Sequence, residues 1–64
     1  MRILLNEVMR SKNLSIRQVS IMTGIPRSTI SDIMNGTMPR IDTLETIAQG
    51  LKIHISDLYE SDFK

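Results

Sequence analysis

The chain has 64 residues, 41% hydrophobic and 23% charged, which is one domain with a small core that buries roughly 60% of the surface exposed when unfolded. It has no cysteine and one histidine (His54), which argues against a disulfide framework and structural zinc, and no apolar run long enough to cross a bilayer. With Glu7 interrupting the N-terminus before a signal-peptide core can form, and a net charge of only +1, a cytoplasmic domain without cofactor or metal is expected.

Leu4, Leu5, Val8 and Met9 form one apolar stripe, which predicts a first helix over residues 2–12 ended by Asn13. Ser15 then reads as an N-cap, with Gln18 three residues later completing a capping box. Ile16, Val19 and Met22 mark a second helix over residues 15–23, stopping at Thr23-Gly24. Pro26 suits the first turn of a third helix over residues 26–35, whose stripe is Ile30, Ile33 and Met34. Asn35-Gly36 is its stop, because both residues tolerate a left-handed backbone. Ile41, Leu44, Ile47, Ala48 and Leu51 predict a fourth helix over residues 41–51, with Asp42 and Glu45 favourable to its dipole. Residues 56–60 close the chain as a short fifth helix or turn, with Ser56 as a candidate cap. The only hint of strand alternation is Lys52-Ile53-His54-Ile55. The expected fold is all-α, a compact five-helix bundle of helices too short to persist alone in water.

The charges are unevenly placed. In residues 1–40, Arg2, Arg10, Lys12, Arg17, Arg27 and Arg40 stand against Glu7 and Asp32, a net of +4. In residues 41–64, Lys52 and Lys64 stand against Asp42, Glu45, Asp57, Glu60 and Asp62, a net of −3. The pattern suits a polyanion-facing side opposite an acidic side, and equally a mixed solvated surface.

The second and third helices are separated by only a few residues around Gly24, the spacing of a helix-turn-helix. Ser20 is small where two helices approach, Gly24 can take a positive φ, and Ile25 is an apolar plug. With Ile30 and Ile33 turned to the core, the opposite face of the third helix carries Arg27, Ser28, Ser31 and Asp32, with Thr29 at its edge. A short polar face of this kind fits a major groove about 12 Å wide.

The run from Ser15 to Ser20, followed by Thr23-Gly24-Ile25-Pro26-Arg27-Ser28-Thr29-Ile30-Ser31 and Asn35-Gly36, resembles the Cro/CI-type (Xre-family) helix-turn-helix of phage and bacterial repressors. Asp42-Thr43-Leu44-Glu45-Thr46-Ile47-Ala48, Leu51 and Ile55-Ser56-Asp57-Leu58-Tyr59 are similar to that family's fourth and fifth helices, so the resemblance covers residues 4–59. It implies a lambda-repressor-like domain that binds double-stranded DNA, usually as a homodimer on a palindromic operator. It also implies base-reading side chains at Arg27, Ser28 and Asp32, with Ser31 nearby. Arg27 fits guanine O6 and N7, a phosphate contact or a solvated charge, and Asp32 fits a cytosine amino group, a residue that rejects wrong sequences, or a partner for an intramolecular arginine. Ser28 and Thr29 fit bases, phosphate or helix capping. Phosphate contacts are implied at Arg17 and Gln18, at Asn35 and Thr37 beside Gly36, and at Arg40.

Two positions depart from the family pattern. Ile16 stands where a phosphate-gripping Gln is common, so either Gln18 or Arg17 takes that contact or affinity at this site is lower. Met9 and Met34 stand where many members pair an Arg with a Glu, and the joint apolar replacement is what a packed core requires.

Ile53, Ile55, Tyr59 and Phe63 exceed what a short closing helix buries, and they fit either core closure or a homodimer contact. His54 reads as an exposed loop residue, and Asp57, Glu60 and Asp62 lack the ligand count and glycine of a calcium loop. The alternative to a DNA-binding regulator is a protein-interaction module of the same fold, antirepressor-like or antitoxin-like, which the sequence pI of about 8.2 and Asp32 keep open. An enzyme is not expected, because no nucleophile–base pair or phosphate-cradling glycine loop is present.

Overall fold

A computed structural model describes residues 1–63. In chain order the elements are β1 (Arg2–Ile3), α1 (Leu5–Lys12), α2 (Ile16–Thr23), α3 (Arg27–Met34), α4 (Ile41–Leu51), a 3-10 turn (Ile55–Leu58) and β2 (Tyr59–Glu60). Four α-helices surround the core, and the fold is mostly rather than wholly helical.

The expected fifth helix over 56–60 is replaced by the 3-10 turn and β2, and the expected helical residues 2–3 form β1. β1 and β2 pair antiparallel, with Arg2 opposite Glu60 and Ile3 opposite Tyr59. The reason is visible at the next residue: the Leu4 N–H donates to the Leu58 carbonyl at 2.8 Å. α1 has no side-chain N-cap. Its entry is therefore fixed by the chain's other end, and an extended Arg2–Ile3 satisfies more backbone groups than a frayed first turn would. Ser56 caps nothing; the 3-10 turn is closed by Asp57, whose N–H donates to the His54 carbonyl at 2.9 Å and whose carboxylate accepts the His54 N–H at 3.1 Å. The stretch from Lys52 to Ile55, where the alternation hinted at a strand, is not one.

Three helix ends share one termination geometry. After α1, Asn13 is left-handed (φ 57°), its N–H reaching the Arg10 carbonyl while that of Leu14 reaches Met9. After α3, the Gly36 N–H reaches Ile33 and the Thr37 N–H reaches Asp32. After α4, the Lys52 N–H reaches Gln49 and the Ile53 N–H reaches Ala48. Each is a Schellman motif, which satisfies carbonyls that the helix leaves open. Of the Asn35-Gly36 pair, only Gly36 is left-handed, at φ 110°. Lys52 adopts φ 58°, a conformation the sequence pattern did not signal, held because Ile53 must turn back onto the core.

The core is Leu5, Met9, Val19, Ile25, Ile30, Ile33, Leu44, Ile47, Ala48, Leu51 and Leu58. Two side chains assigned to apolar stripes lie largely outside it: Met22 is 46% exposed and Ile41 66%. α2 packs against both α3 and α4. It comes close to α4 at Gly50, where a Cβ would lie 2.8 Å from the Met22 carbonyl oxygen and 2.9 Å from Thr23 Cα. Gly50 is thus a helix-interior glycine kept for contact, offsetting its poor helix propensity. Met9 and Met34 line one groove of about 470 Å³ between α1 and α3, together with Leu14, Arg10 and Asn6. Met9 is buried but Met34 is half-buried, so the pair closes only part of that space.

Candidate nucleic-acid interface

The turn between α2 and α3 is built from hydroxyl groups. α2 starts at Ser15, whose Oγ accepts the Gln18 N–H at 3.1 Å while the Gln18 carboxamide oxygen accepts the Ser15 N–H at 2.8 Å. The predicted capping box is present. At the other end, Gly24 takes φ 77° and its N–H donates to the Ser20 carbonyl. Ile25 then plugs the core, and both of its backbone groups are held by α2 side chains. The Ser20 hydroxyl donates to the Ile25 carbonyl at 2.6 Å, and the Thr23 Oγ1 accepts the Ile25 N–H at 3.2 Å. The Thr23 hydroxyl itself donates to the Val19 carbonyl at 2.7 Å. Ser20 is therefore more than a small residue at a crossing: together with Thr23 it sets the direction in which α3 leaves. Pro26, at the N-cap of α3 with ψ 145°, directs the chain into the helix.

With that direction fixed, Ile30 and Ile33 face inward and are buried. At 100° per residue, Arg27, Ser31, Asn35, Ser28 and Asp32 occupy one outward arc of about 140°. Arg27, Ser28, Asp32 and Asn35 are exposed and Ser31 is half-buried. Asp32 forms no ion pair with Arg27; among the described residues the ion pairs are Arg2–Glu60 and Arg40–Asp42. The intramolecular-partner reading of Asp32 is thereby removed. The Asn35 side-chain amide approaches the Ser31 hydroxyl at 3.5 Å.

Five of the six phosphate-contact candidates fall into two groups, and the sixth, Asn35, lies on the outward arc of α3. Arg17 and Gln18 are exposed at the start of α2. The Gln18 carboxamide oxygen is used in the capping box, so its NH₂ is the group left to donate. Thr29, Thr37 and Arg40 gather with Asp32 and Thr43 around a cleft of about 200 Å³ between α3 and the start of α4. The amides of Asn35, Gly36 and Thr37 are consumed in the α3 termination. That loop can offer side chains but not those backbone donors, contrary to the simplest reading of a phosphate-binding loop. At α4, by contrast, the Ile41 and Asp42 N–H groups have no partner within the helix geometry. One acidic neighbour went unassigned in the sequence beyond its effect on the dipole: Asp42, whose Oδ1 lies 3.5 Å from Arg40 Nε.

Ile53, Ile55 and Tyr59 are half-buried, and Phe63 is 97% exposed. Ile53 and Ile55 pack against the core, while Phe63 adds nothing to its closure. His54 is exposed.

A family profile for the Cro/C1-type helix-turn-helix DNA-binding domain matches residues 4–64. Neither a curated protein nor a solved structure matches the chain.

Proposed function

The chain belongs to the Cro/C1-type helix-turn-helix family of DNA-binding domains, and from that premise, which makes it a DNA-binding transcription regulator, we propose that it reads a specific double-stranded operator with α3 in the major groove. The observation that carries this reading is the outward arc of α3. Arg27, Ser28, Ser31 and Asp32 are presented without intramolecular ion pairing, on a helix whose opposite side is anchored by Ile30 and Ile33. A helix about 10–12 Å across fits a groove about 12 Å wide.

In this reading Arg27 donates to a guanine edge and Asp32 accepts from a cytosine amino group, with Ser28 and Ser31 completing the base-contacting set. Arg17, Gln18, Thr29, Asn35, Thr37 and Arg40 position the domain on the backbone. The protein acts as a repressor by occupying its operator and excluding polymerase, a sign of regulation taken from its resemblance to phage and bacterial repressors. It binds a palindrome as a homodimer, with half-sites about 34 Å apart. The exposed Phe63 ring and the half-buried Ile53, Ile55 and Tyr59 form the dimer contact.

Selection of bound duplexes from a random library, run in parallel on Arg27→Ala, tests the reading. A palindrome is expected for the native chain, blurred at one position per half-site for the variant. Recovery of identical sequences by both, or of none, would overturn it. Salt separates it from a protein-interaction module. Phosphate contacts make affinity fall steeply as salt rises, whereas an apolar protein interface is nearly indifferent.

A further inference from the structure

The start of α4 carries a charge arrangement that works against the polyanion that Arg17, Arg27 and Arg40 attract. Arg40, at the N-cap of α4, extends an 86% exposed side chain. The Asp42 Oδ1 lies 3.5 Å from its Nε, and the same oxygen accepts the Thr43 N–H at 2.9 Å. A single anionic oxygen thus engages a guanidinium and a backbone amide at a helix start. Those are the two kinds of donor a DNA phosphate uses. The carboxylate is itself 66% exposed, so no packing holds it there. Its position is also central. Asp42 lines a groove with Pro26, Thr29 and Thr43, and Arg40 lines the adjoining cleft with Thr29, Asp32, Thr37 and Thr43, where Asp42 and not Asp32 is its ion-pair partner. Both side chains therefore border the base of α3.

We infer that Asp42 limits the DNA affinity of this protein by acting as an internal stand-in for a backbone phosphate, holding Arg40 and the Thr43 amide in the free chain. The inference rests on the DNA-binding reading above. An exposed ion pair is weak, so Asp42 does not block binding. It is exchanged for phosphate on association, and its charge then stays beside the one that displaced it. Like charges at about 4 Å in water oppose one another by roughly a fivefold factor in an equilibrium constant.

The test uses the full chain and two labelled duplexes, one carrying the selected operator and one of scrambled sequence, titrated over a salt series. Asp42→Asn keeps an oxygen for the Thr43 N–H and removes the charge. About fivefold tighter binding is expected on both duplexes, because a backbone contact is indifferent to sequence. The same phosphate is engaged with and without Asp42, but without the neighbouring carboxylate the site offers one more net positive charge, so the slope of log affinity against log salt should steepen by up to about 0.9. The gain should disappear in an Arg40→Gln background. Glu45→Gln changes net charge equally on the same helix and should do much less. Melting curves accompany each variant, and Asp42→Ser replaces the Asn variant if that one melts below the assay temperature. Unchanged or weaker binding by a folded Asp42→Asn overturns the inference, as does an equal gain from Glu45→Gln or from Asp42→Asn without Arg40. In those cases the native chain still binds with steep salt dependence and the DNA reading stands. Failure of the native chain to bind either duplex removes both.

Discussion

Replacing Gly50 by Ala sets two magnitudes against each other. Glycine inside a helix is about 1 kcal/mol less favourable than alanine, so on propensity alone Gly50→Ala stabilises the domain. The new Cβ would lie 2.7 Å from Thr23 Cγ2, 2.8 Å from the Met22 carbonyl oxygen and 2.9 Å from Thr23 Cα. Two of those three atoms are backbone, so rotating a side chain does not relieve the contact. Turning Thr23 away from the methyl would also break its bonds to the Val19 carbonyl and the Ile25 N–H. Separating α2 from α4 by several tenths of an ångström costs about 1–3 kcal/mol as over-packing, and a disrupted Thr23 bond adds about 1 kcal/mol. The clash outweighs the propensity gain, for a net loss of about 1–3 kcal/mol. In a domain this small each kilocalorie moves Tm by about 4–8 °C. Thermal melts followed by circular dichroism, with Gln49→Ala on the exposed side of the same helix as control, give the comparison. A Tm for Gly50→Ala equal to or above that of the native chain would refute the close approach as the reason for glycine.

Three further outcomes are expected. Ser20→Ala removes the donor to the Ile25 carbonyl, which should cost about 1–3 kcal/mol and weaken operator binding beyond the fraction unfolded; a variant that melts lower yet binds normally when folded would contradict the role of Ser20 in aiming α3. Lys52→Gly relieves a left-handed non-glycine residue and should raise stability by about 0.5–1 kcal/mol in a denaturant titration, a loss counting against strain at that position. Met34→Glu should lower stability by about 1 kcal/mol, less than burial of a lone carboxylate would cost, because Met34 is half-buried and Arg10 borders the same groove; Met9→Arg combined with it should recover stability, and a double variant no better than the single would show that the two positions do not face each other.

Much of this architecture was legible in the sequence because it is encoded locally. Ser15 and Gln18 are three residues apart, Gly24 interrupts an apolar period, and Asn13 and Gly36 end helices by backbone preference. The limits of α4, Ile41–Leu51, coincide with its predicted range. What the sequence hid is encoded at a distance. Arg2–Ile3 falls within the predicted first helix, just ahead of its apolar stripe, and only a partner some 56 residues later makes it a strand. Gly50 looks like an unfavourable helix residue until Thr23 is placed against it. Met22 and Ile41 satisfy the helical period and are nevertheless exposed, because the period specifies a face and not whether a neighbour covers it. The candidate interface divides the same way. The outward arc of α3 follows from spacing, whereas the Arg40–Asp42 pair and the hydroxyl contacts to Ile25 depend on side-chain positions that spacing does not give. Thr23 four residues before Arg27 and two before Ile25 was a usable signal, since a threonine ending a helix often binds backbone on both sides.

The pairing of Arg2–Ile3 with Tyr59–Glu60 bears on how the protein is made. Translation delivers the first helix long before the carbonyl that fixes its entry, that of Leu58. A ribosome-bound chain that has not yet reached Leu58 leaves the core without that fully buried side chain and α1 without its anchor. α1 therefore gains its anchor only after Leu58 has been synthesised. A polypeptide cut short before Leu58 lacks both that anchor and a fully buried core side chain, and should be cleared by proteases rather than accumulate.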